Sequence, residues 1–399
     1  MSKHFQVLII GGGNAGISVA AKLLLKKKDL LVGIIEPSDK HYYQPAWTLV
    51  GGGTFNLQKT VRAEASVIPK GAVWIKDAAK TFEPENNQVT CASDTVYTYD
   101  YLVAAPGIQL DWHKVKGLKE TLGKNGVCSN YAFEQASYTY ECIKNIQQGQ
   151  TAIFTSPSTP VKCGGAPQKI MYLAADYFKR KRLLNHVSVS FVSGGGMIFG
   201  VKKYADALLK LVSSYNINLN FKHDLIEIDG EKKLATFKLM ESEDGKTVII
   251  PFNMIHVTPP QSAPDFIKES KLANAAGWID VNKNTLQHTQ YANIFALGDA
   301  TNTPNAKTGA AIRKQAPVLV ANILALINGS NALPAQYNGY GSCPLVAGYG
   351  KLILAEFDYS NTPVETFPFN QAKPRWSMWL LKKYLLPWMY WNKILKGTA

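Results

Sequence analysis

The stretch VLIIGGGNAGISVAAKLLLKKKDLLVGIIE, residues 7–36, determines how the N-terminal part of the chain folds. The apolar run at residues 7–10 predicts a buried parallel strand. Glycines in GxGxxG spacing follow, and a helical pattern rich in Ala, Leu and Lys leads to a second apolar run at residues 31–35. This order of strand, glycine turn, helix and strand predicts a Rossmann-like unit that binds a dinucleotide.

The glycines of this turn have separate roles. Gly11 permits the tight turn, Gly13 lets the backbone approach a pyrophosphate, and Gly16 lets the helix pack close to the strand. Gly12, between them, belongs to the same cofactor-binding turn. Glu36 ends the unit, where an acidic side chain accepts a hydrogen bond from a ribose hydroxyl. The alternative is a glycine-rich turn in an unrelated α/β protein, which the flanking strands and Glu36 disfavour.

Composition narrows the class of protein. The 399 residues are enough for two or more domains, and 46% hydrophobic with 18% charged residues is typical of a globular chain. The net charge of +14 suits nucleic acid, an anionic membrane or an anionic substrate. No nucleic-acid-binding motif accompanies the charge, so we expect no nucleic acid partner. The chain has five cysteines and no CxxC, which argues against a disulfide framework and against a zinc site. We therefore expect no metal.

Further strands are predicted at residues 71–75 and 95–104, and the first domain is expected to close near residue 110. Between them, the segment HYYQPAWTLVGGG at residues 41–53 is aromatic and then glycine-rich. It is predicted to be a loop, either approaching a flat ligand or serving as an ordinary connection.

A second α/β unit begins near residue 150. Strands are predicted at residues 151–155 and 187–192, and a helix at residues 167–180. Neither strand is followed by a complete GxGxxG, because SGGGMIFG has Phe199 where the last glycine would stand. We therefore expect the second nucleotide site to be lost, which argues against NAD(P)H as the electron donor.

The segment TLQHTQYANIFALGDA, residues 285–300, is similar to the second fingerprint of flavin-binding proteins. Gly298 and Asp299 follow its apolar strand, and Asp299 is expected to contact the ribityl–phosphate part of FAD. A helix at residues 306–327 would direct its N-terminus at the flavin pyrimidine ring. The predicted division is an FAD-binding domain (1–110 and 285–330), a second Rossmann-like domain with a degenerate nucleotide site (111–284) and a C-terminal region (331–399).

The last residues, 371–399, combine six Lys or Arg with no acidic residue. They hold four of the eight tryptophans: Trp376, Trp379, Trp388 and Trp391. Rings and lysines of this kind suit the headgroup boundary of a membrane, so amphipathic membrane-anchoring helices are predicted. The alternative is a helix packed on the protein's own core or a dimer contact, so a homo-oligomer stays open. No run of about 18 apolar residues is found, and no spanning helix is expected.

Two cysteines stand in unusual contexts. Cys163 lies in PVKCGGAPQK, between a predicted strand and a helix, where backbone N–H groups and Lys162 would favour the thiolate. Lys169 would add positive potential there, or be a solvated helix lysine. Cys343 lies in a stretch crowded with Gly, Pro and aromatic residues. From composition alone, each cysteine could equally be an inert buried residue.

Long strings along the chain resemble the sulfide:quinone oxidoreductase family, on the branch that includes the mitochondrial enzymes. They run from the first fingerprint to the tail and include KCGGAPQKIMYL, GVKKYADAL, HVTPP, AAGWIDV, TLQH, SCPLV, AEFDY and ETFPF. The resemblance implies a fold with two Rossmann-like domains and FAD bound through residues that match Gly11, Gly13, Gly16, Glu36, Gln44 and Asp299.

The resemblance also implies the reaction. Cysteines matching Cys163 and Cys343 would form the redox centre, with the persulfide on the latter. Hydrogen sulfide would be the donor, ubiquinone or menaquinone the acceptor, and a thiol or sulfite the sulfur acceptor at a membrane surface. Phe357, Phe367 and Phe369 are candidates for the quinone wall, with core packing as the alternative.

Three expectations remain open at this point. Other branches of the family carry a third reactive cysteine near Cys128, which is expected here to be a bystander, with Cys91 and Cys142 structural. A single-subunit NADH:quinone oxidoreductase is the rival enzyme, and a non-catalytic flavoprotein is the other rival. Because MSKHFQ runs directly into the first strand, the expected location is the cytoplasmic face of a bacterial inner membrane, with the mitochondrial inner membrane second.

Overall fold

The computed structural model describes residues 3–399. Most of the chain is divided between two β-sheets with helices on their faces, and a long C-terminal helical segment. The strands, in chain order, are β1 (Lys3–Ile10), β2 (Val32–Ile35), β3 (Lys40–Tyr42), β4 (Val61–Ala63), β5 (Ala72–Ile75), β6 (Ala79–Glu83), β7 (Gln88–Cys91), β8 (Val96–Ala104), β9 (Gln109–Leu110), β10 (Val127–Cys128), β11 (Thr151–Ser156), β12 (Ser188–Ser193), β13 (Ile217–Phe221), β14 (His223–Asp229), β15 (Leu234–Leu239), β16 (Thr247–Pro251), β17 (Met254–His256), β18 (Gln261–Ser262), β19 (Ile294–Ala296), β20 (Gly341–Gly348) and β21 (Lys351–Phe357).

Helices connect these strands, with short 3₁₀ turns between them. They are α1 (Asn14–Lys26), α2 (Trp47–Gly51), α3 (Leu118–Thr121), α4 (Ala136–Asn145), α5 (Ala166–Arg180), α6 (Lys202–Ser214), α7 (Asp265–Lys268), α8 (Gly309–Ile327), α9 (Trp376–Leu380) and α10 (Leu386–Met389). Two π-helical turns, Leu381–Leu385 and Tyr390–Ile394, extend α9 and α10, so the helical path continues from residue 376 to 394. Pro387 occupies the first turn of α10, where a proline does not interrupt the helical path.

The first sheet has seven strands in the order β5-β2-β1-β8-β7-β6, with β19 also paired to β8. The central strands β5, β2, β1 and β8 are parallel, while β7 and β6 are antiparallel. Strand β8 is long enough to pair with β7 at its start and with β19 at its end. Residues 294–296 thus return to the sheet that contains the glycine turn.

The second sheet has five parallel strands in the order β10-β17-β11-β12-β13. Helix α5 lies on it and also packs against the hairpin formed by β20 and β21. A separate antiparallel sheet, β14-β15-β16, adjoins this unit. The β20–β21 hairpin is therefore held against the helix that follows Cys163.

Helix α8 is long and apolar enough to cross a membrane by length and composition, so the expectation of no such stretch is wrong. Its inner face is buried, however, and the helix packs on α1. Two of its polar side chains, Gln315 and Asn322, are fully buried, and the Asn322 amide donates to Thr285 O and Ala335 O. We therefore assign α8 to the protein core.

The prediction of a loop at residues 41–53 is also wrong. This segment contains the end of β3, a 3₁₀ turn at Gln44–Ala46 and helix α2. Trp47 and Leu49 are buried, and Trp47 Nε1 donates to Thr60 Oγ1 at 3.2 Å. Tertiary burial of these apolar side chains outweighs the local preference of glycine and aromatic residues for a loop.

Candidate active site

The site is built around two thiols that lie 180 residues apart in sequence. Cys343 is in β20 and is buried, while Cys163 precedes α5 and is half-buried. Both are free thiols, and their Sγ atoms are 3.0 Å apart. A disulfide bond is about 2.05 Å long, so a small movement would join them.

The backbone around Cys163 explains how this approach is possible. Cys163 adopts a left-handed conformation (φ +54°), and its N–H donates to Lys307 O at 2.6 Å. Its own carbonyl accepts from Ala166 N at 2.6 Å, at the start of α5. At Gly165, a Cβ would lie 2.2 Å from Leu345 Cδ2 and 2.8 Å from Cys343 Sγ. The absence of a side chain at Gly165 therefore makes room for the hairpin of β20 and β21.

Two buried lysines face the thiols. Lys169 Nζ, at the end of the first turn of α5, lies 3.0 Å from Cys163 Sγ. Lys382 comes from the C-terminal segment and donates to Pro45 O at 2.7 Å. Burial, with a smaller contribution from the nearby Lys169, lowers the pKa of Lys382 to about 7. Burial also opposes the charge on Lys169, but the two thiols raise its pKa above the usual value.

The two thiols are electrostatically unlike. The hydrogen bond from Cys343, with the positive charges of Lys169 and Lys382, holds the pKa of Cys163 well below its ordinary value. The same hydrogen bond, with burial, raises the pKa of Cys343. The pair therefore favours the thiolate on Cys163 and the proton on Cys343.

A second charged group lies beside this pair. Lys162 Nζ donates to Gln44 Oε1 at 2.6 Å, which brings the predicted residue Gln44 to the cysteine loop. Burial lowers the pKa of Lys162, and of Lys307 nearby, to about 8 in each case. Burial also raises the pKa of Asp299, which the two lysines counteract. The predicted Asp299 thus lies between two lysines and close to the cysteines.

The glycine turn has the geometry that a dinucleotide requires. Gly11 has φ +99°, and a Cβ there would lie 2.4 Å from Ala105 O. A Cβ on Gly16 would lie 1.9 Å from Gly11 O, so this glycine permits the close packing of α1 on the turn. At Gly13, by contrast, a Cβ would meet nothing within 4 Å. Gly13 therefore faces open space, as expected of the glycine next to a pyrophosphate.

Other predicted contacts of the cofactor lie around this turn. Glu36 accepts from Gly12 N and from Ser38 N, both at 2.8 Å, and burial raises its pKa. Gly298 has φ +85°, and its N–H donates to Gln315 Oε1 at 3.1 Å. Gln315 Nε2 is buried without a partner. A buried amide without a partner beside Gly298 fits a bound polar group such as a flavin.

The second glycine-rich turn lacks this geometry. At Gly194, a Cβ would lie 2.6 Å from Ser158 N, so the turn is filled by the chain itself. The Asp224 carboxylate also accepts from Ser158 N at 3.1 Å and from the Ser158 hydroxyl. A carboxylate at this end of β11 opposes the pyrophosphate of a nicotinamide cofactor.

Comparison with known proteins agrees with these features. Residues 5–140 match the model of the pyridine nucleotide-disulphide oxidoreductase family. The chain is 44% identical over 394 residues to a mitochondrial sulfide:quinone oxidoreductase of Mus musculus, covering 99% of this chain and 87% of that protein. It is 47% identical over 397 residues to the mitochondrial sulfide:quinone oxidoreductase of Dictyostelium discoideum, covering 98% and 86%. The chain belongs to the sulfide:quinone oxidoreductase family.

The fold agrees with that membership. The X-ray structure of the sulfide:quinone oxidoreductase from Aquifex aeolicus matches with a TM-score of 0.82 at 21% identity, covering 100% of this chain and 93% of that one. Members of the sulfide:quinone oxidoreductase family are enzymes, so the rival prediction of a non-catalytic flavoprotein is set aside. The family match and the fold also indicate a flavin cofactor.

One expectation is wrong in light of these relatives. A bacterial inner membrane was the expected location, but the relatives at 44% and 47% identity are mitochondrial sulfide:quinone oxidoreductases. The expectation rested on the first residues of the chain alone, which carry less information than similarity along the whole length.

The remaining cysteines lie away from the pair that the family resemblance singled out. Cys128 and Cys142 are buried, and Cys128 Sγ donates to Ile255 O at 3.5 Å. Burial raises the pKa of Cys91 to about 12. In the segment GVCSNY, residues 126–131, Tyr131 approaches the reactive pair. Its ring centre lies 5.7 Å from Lys162 Nζ. Its position could not be foreseen, because nothing in GVCSNY distinguishes it.

The three candidate quinone-wall residues are near one another but not equivalent. Phe357 is buried at the end of β21 and packs edge-on against Phe199, with ring centres 5.7 Å apart. Phe367 and Phe369 are half-buried and stacked, with centres 5.3 Å apart. The Arg375 guanidinium lies 4.2 Å from the centre of the Phe369 ring. The stacked pair is partly exposed to solvent, whereas Phe357 is buried.

The four tail tryptophans fall into two pairs. Trp376 and Trp388 are 66% and 52% exposed. Trp379 and Trp391 are buried, because the first packs in the core around α5 and the second in the core around α1. Trp379 and Trp391 therefore pack in the core of the protein, and the expectation that they contact a membrane is wrong.

Proposed function

We propose that the chain oxidises hydrogen sulfide to sulfane sulfur on the Cys163–Cys343 pair, with FAD as cofactor and a quinone as electron acceptor. The observation that carries the proposal is the pair of thiols 3.0 Å apart, with Lys169 Nζ 3.0 Å from Cys163. A pair of thiols in which one sulfur favours the thiolate and the other keeps its proton is suited to thiol–disulfide exchange.

In the oxidised enzyme the two cysteines form a disulfide. Hydrosulfide attacks the Cys343 sulfur, the S–S bond breaks, and Cys163 leaves as the thiolate while Cys343 becomes a persulfide. The lower pKa of Cys163 makes it the better leaving group, which supports this direction of attack. Lys169 stabilises the charge that appears on the Cys163 sulfur.

A thiol or sulfite then takes the outer sulfur of the persulfide, and Cys343 returns to a thiol. The two cysteines rejoin as a disulfide, releasing two electrons and their protons. Bound FAD would supply the two-electron acceptor through which these electrons could pass to ubiquinone or menaquinone. For a thiol acceptor the overall balance is H₂S + RSH + quinone → RSSH + quinol.

The residues that would hold FAD divide between two parts of the chain. The glycine turn and Glu36 suit the pyrophosphate and the adenosine ribose. Asp299, Gln44 and Lys162 suit the flavin end, because they lie beside Cys163. We propose the domain division of the sequence analysis on this basis, with residues 285–330 completing the cofactor domain.

We also propose a membrane-associated enzyme of the mitochondrial inner membrane. The exposed tail side chains Trp376, Tyr384, Leu385 and Trp388 form an apolar surface rich in rings. Such a surface suits the lipid headgroup boundary, from which a quinone would enter. The stacked pair Phe367 and Phe369 is the favoured part of the quinone wall.

The rival enzyme, a single-subunit NADH:quinone oxidoreductase, has less support. It requires a second dinucleotide site, and the turn after β12 is filled by Ser158 and Asp224. No observation on the described residues 3–399 favours it.

The proposal is tested by an anaerobic titration of the purified flavoprotein with sulfide and then with a soluble quinone, followed by flavin absorbance. We expect bleaching by sulfide and recovery with quinone. The Cys163→Ser and Cys343→Ser variants should not bleach, whereas Cys91→Ser, in the first sheet, should behave like the parent. Bleaching by NADH but not by sulfide would overturn the proposal.

A further inference from the structure

The C-terminal segment reaches the glycine turn through a chain of buried polar groups. Tyr390 Oη lies 2.6 Å from His41 Nε2. His41 Nδ1 lies 3.0 Å from Gly12 O and 3.2 Å from Glu64 Oε2. Residues 390 and 41 are far apart in sequence, yet together they link the tail to the turn that a cofactor pyrophosphate would approach.

The geometry fixes the proton on His41. Both neighbours of Nδ1 are acceptors, so Nδ1 carries the hydrogen in the neutral ring. Nε2 then accepts from the hydroxyl of Tyr390. The tail therefore selects the tautomer that orients the Glu64 carboxylate.

Glu64 has one carboxylate oxygen left over. The residue is 1% exposed, and Oε1 has no hydrogen-bond partner although Oε2 is bound to His41. A Cβ on Gly12 would lie 2.6 Å from Glu64 Oε1 and 2.8 Å from Glu36 Cβ. Two carboxylates therefore flank Gly12, and one of them has a buried, unused acceptor.

We propose that Glu64 is a second ribose-binding residue, which accepts a hydrogen bond from a hydroxyl of the adenosine ribose while Glu36 accepts from the other. His41 and Tyr390 are its positioning residues. A vicinal diol offers two donors, which matches two acceptors, whereas a phosphate at this point would be repelled by both carboxylates. This inference rests on the proposed function, because it takes FAD as the ligand.

The consequence is that the membrane-seeking tail takes part in holding the cofactor at the end remote from the chemistry. Arg62 stacks on Trp391 at 4.3 Å, and Tyr43 packs on Tyr390 at 4.7 Å between ring centres, so the contact is rigidly packed. A shift of the tail would release His41 and with it the orientation of Glu64.

The test measures FAD binding to the deflavinated full-length protein by quenching of flavin fluorescence. A hydrogen bond to a charged group contributes about 1.5–3 kcal/mol, so Glu64→Gln should raise the Kd by roughly 10- to 150-fold. The matched control is Glu231→Gln, on an exposed turn, with no change expected. Circular dichroism confirms folding, and Glu64→Asp, which keeps the charge but shortens the reach, replaces Glu64→Gln where that variant does not fold.

FAD analogues that lack one ribose hydroxyl of the adenosine separate binding from general damage. The loss caused by Glu64→Gln should disappear with either the 2′-deoxy or the 3′-deoxy analogue. An unchanged Kd for FAD, or an equal loss with both analogues, overturns the inference. Absence of sulfide reduction in the FAD-loaded parent would instead overturn the proposed function, so the two failures are distinguishable.

Tyr390→Phe tests the positioning role. It should weaken FAD binding by a smaller factor, and the double variant with Glu64→Gln should bind no more weakly than Glu64→Gln alone. Tyr384→Phe, in the same segment but exposed, is the control. Fully additive losses would show that Tyr390 acts through stability and not through Glu64.

Discussion

Replacing Lys169 by Met removes the ammonium that lies 3.0 Å from Cys163 Sγ while keeping most of the side-chain volume. Because Lys169 is buried, solvent does not compensate for its loss. A charge-assisted hydrogen bond contributes about 1.5–3 kcal/mol, so the ratio of thiolate to thiol at Cys163 should fall by roughly 10- to 150-fold.

The assay is the rate of alkylation of Cys163 by iodoacetamide in the reduced protein, measured against pH by peptide mass spectrometry. In the parent the pKa of Cys163 is held down, so the rate should stay high on the acidic side of neutrality. In Lys169→Met the rise should move to higher pH. Lys179→Met, on the exposed side of the same helix, should match the parent.

Sulfide reduction of the flavin gives a second readout. Because Cys163 is the leaving group in the proposed attack, a less stable thiolate slows that step. An unchanged pH profile of alkylation in Lys169→Met would refute the role of this charge, whatever the effect on turnover.

Three further expectations follow from the same geometry. Gly13→Ala should keep the melting temperature of the deflavinated protein but lose flavin. Gly16→Ala, whose Cβ would lie 1.9 Å from Gly11 O, should lower that melting temperature. Calorimetry and the flavin content of the purified protein separate the two effects. Burial lowers the pKa of Lys382 to about 7, so this group destabilises the folded state most below pH 7 and less as the pH rises towards 10.5. Lys382→Met should therefore raise the melting temperature most at acidic pH. An equal gain at pH 9.5 would contradict this. Trp388→Ser should reduce cosedimentation with anionic vesicles without lowering the melting temperature, while Trp379→Ser should lower the melting temperature; vesicle binding unaffected by Trp388→Ser would argue against the proposed membrane surface.

The local features were predictable from the sequence because they are encoded within short stretches. The strand, glycine turn and helix of residues 7–36 are formed by neighbours in the chain, and so is the approach of a helix to Cys163. The strand at residues 294–296 was also recognisable, from its apolar run and the following Gly298. The partner of Cys163 needed the family resemblance, since nothing near Cys343 marks it as reactive.

What the sequence did not reveal depends on contacts between distant residues. Lys382 reads as one of several basic tail residues until its contact with Pro45, 337 positions earlier, is known. His41 and Glu64 are similarly undistinguished before Tyr390 is brought to them. Periodicity and spacing describe the faces of single elements, and they contain no information on which faces meet.

Helix α1 contacts residues 394–399, and this contact has a consequence for folding during synthesis. Lys22 Nζ donates to Gly397 O at 3.1 Å and to Ala399 O at 2.7 Å, and Ser18 Oγ donates to Ile394 O at 3.4 Å. Residues 7–36 are synthesised long before Tyr390, Trp391 and Leu395, which belong to the same hydrophobic core. Such contacts of long sequence separation form late. Until residues 390–395 have been made, part of the apolar surface of α1 therefore stays uncovered.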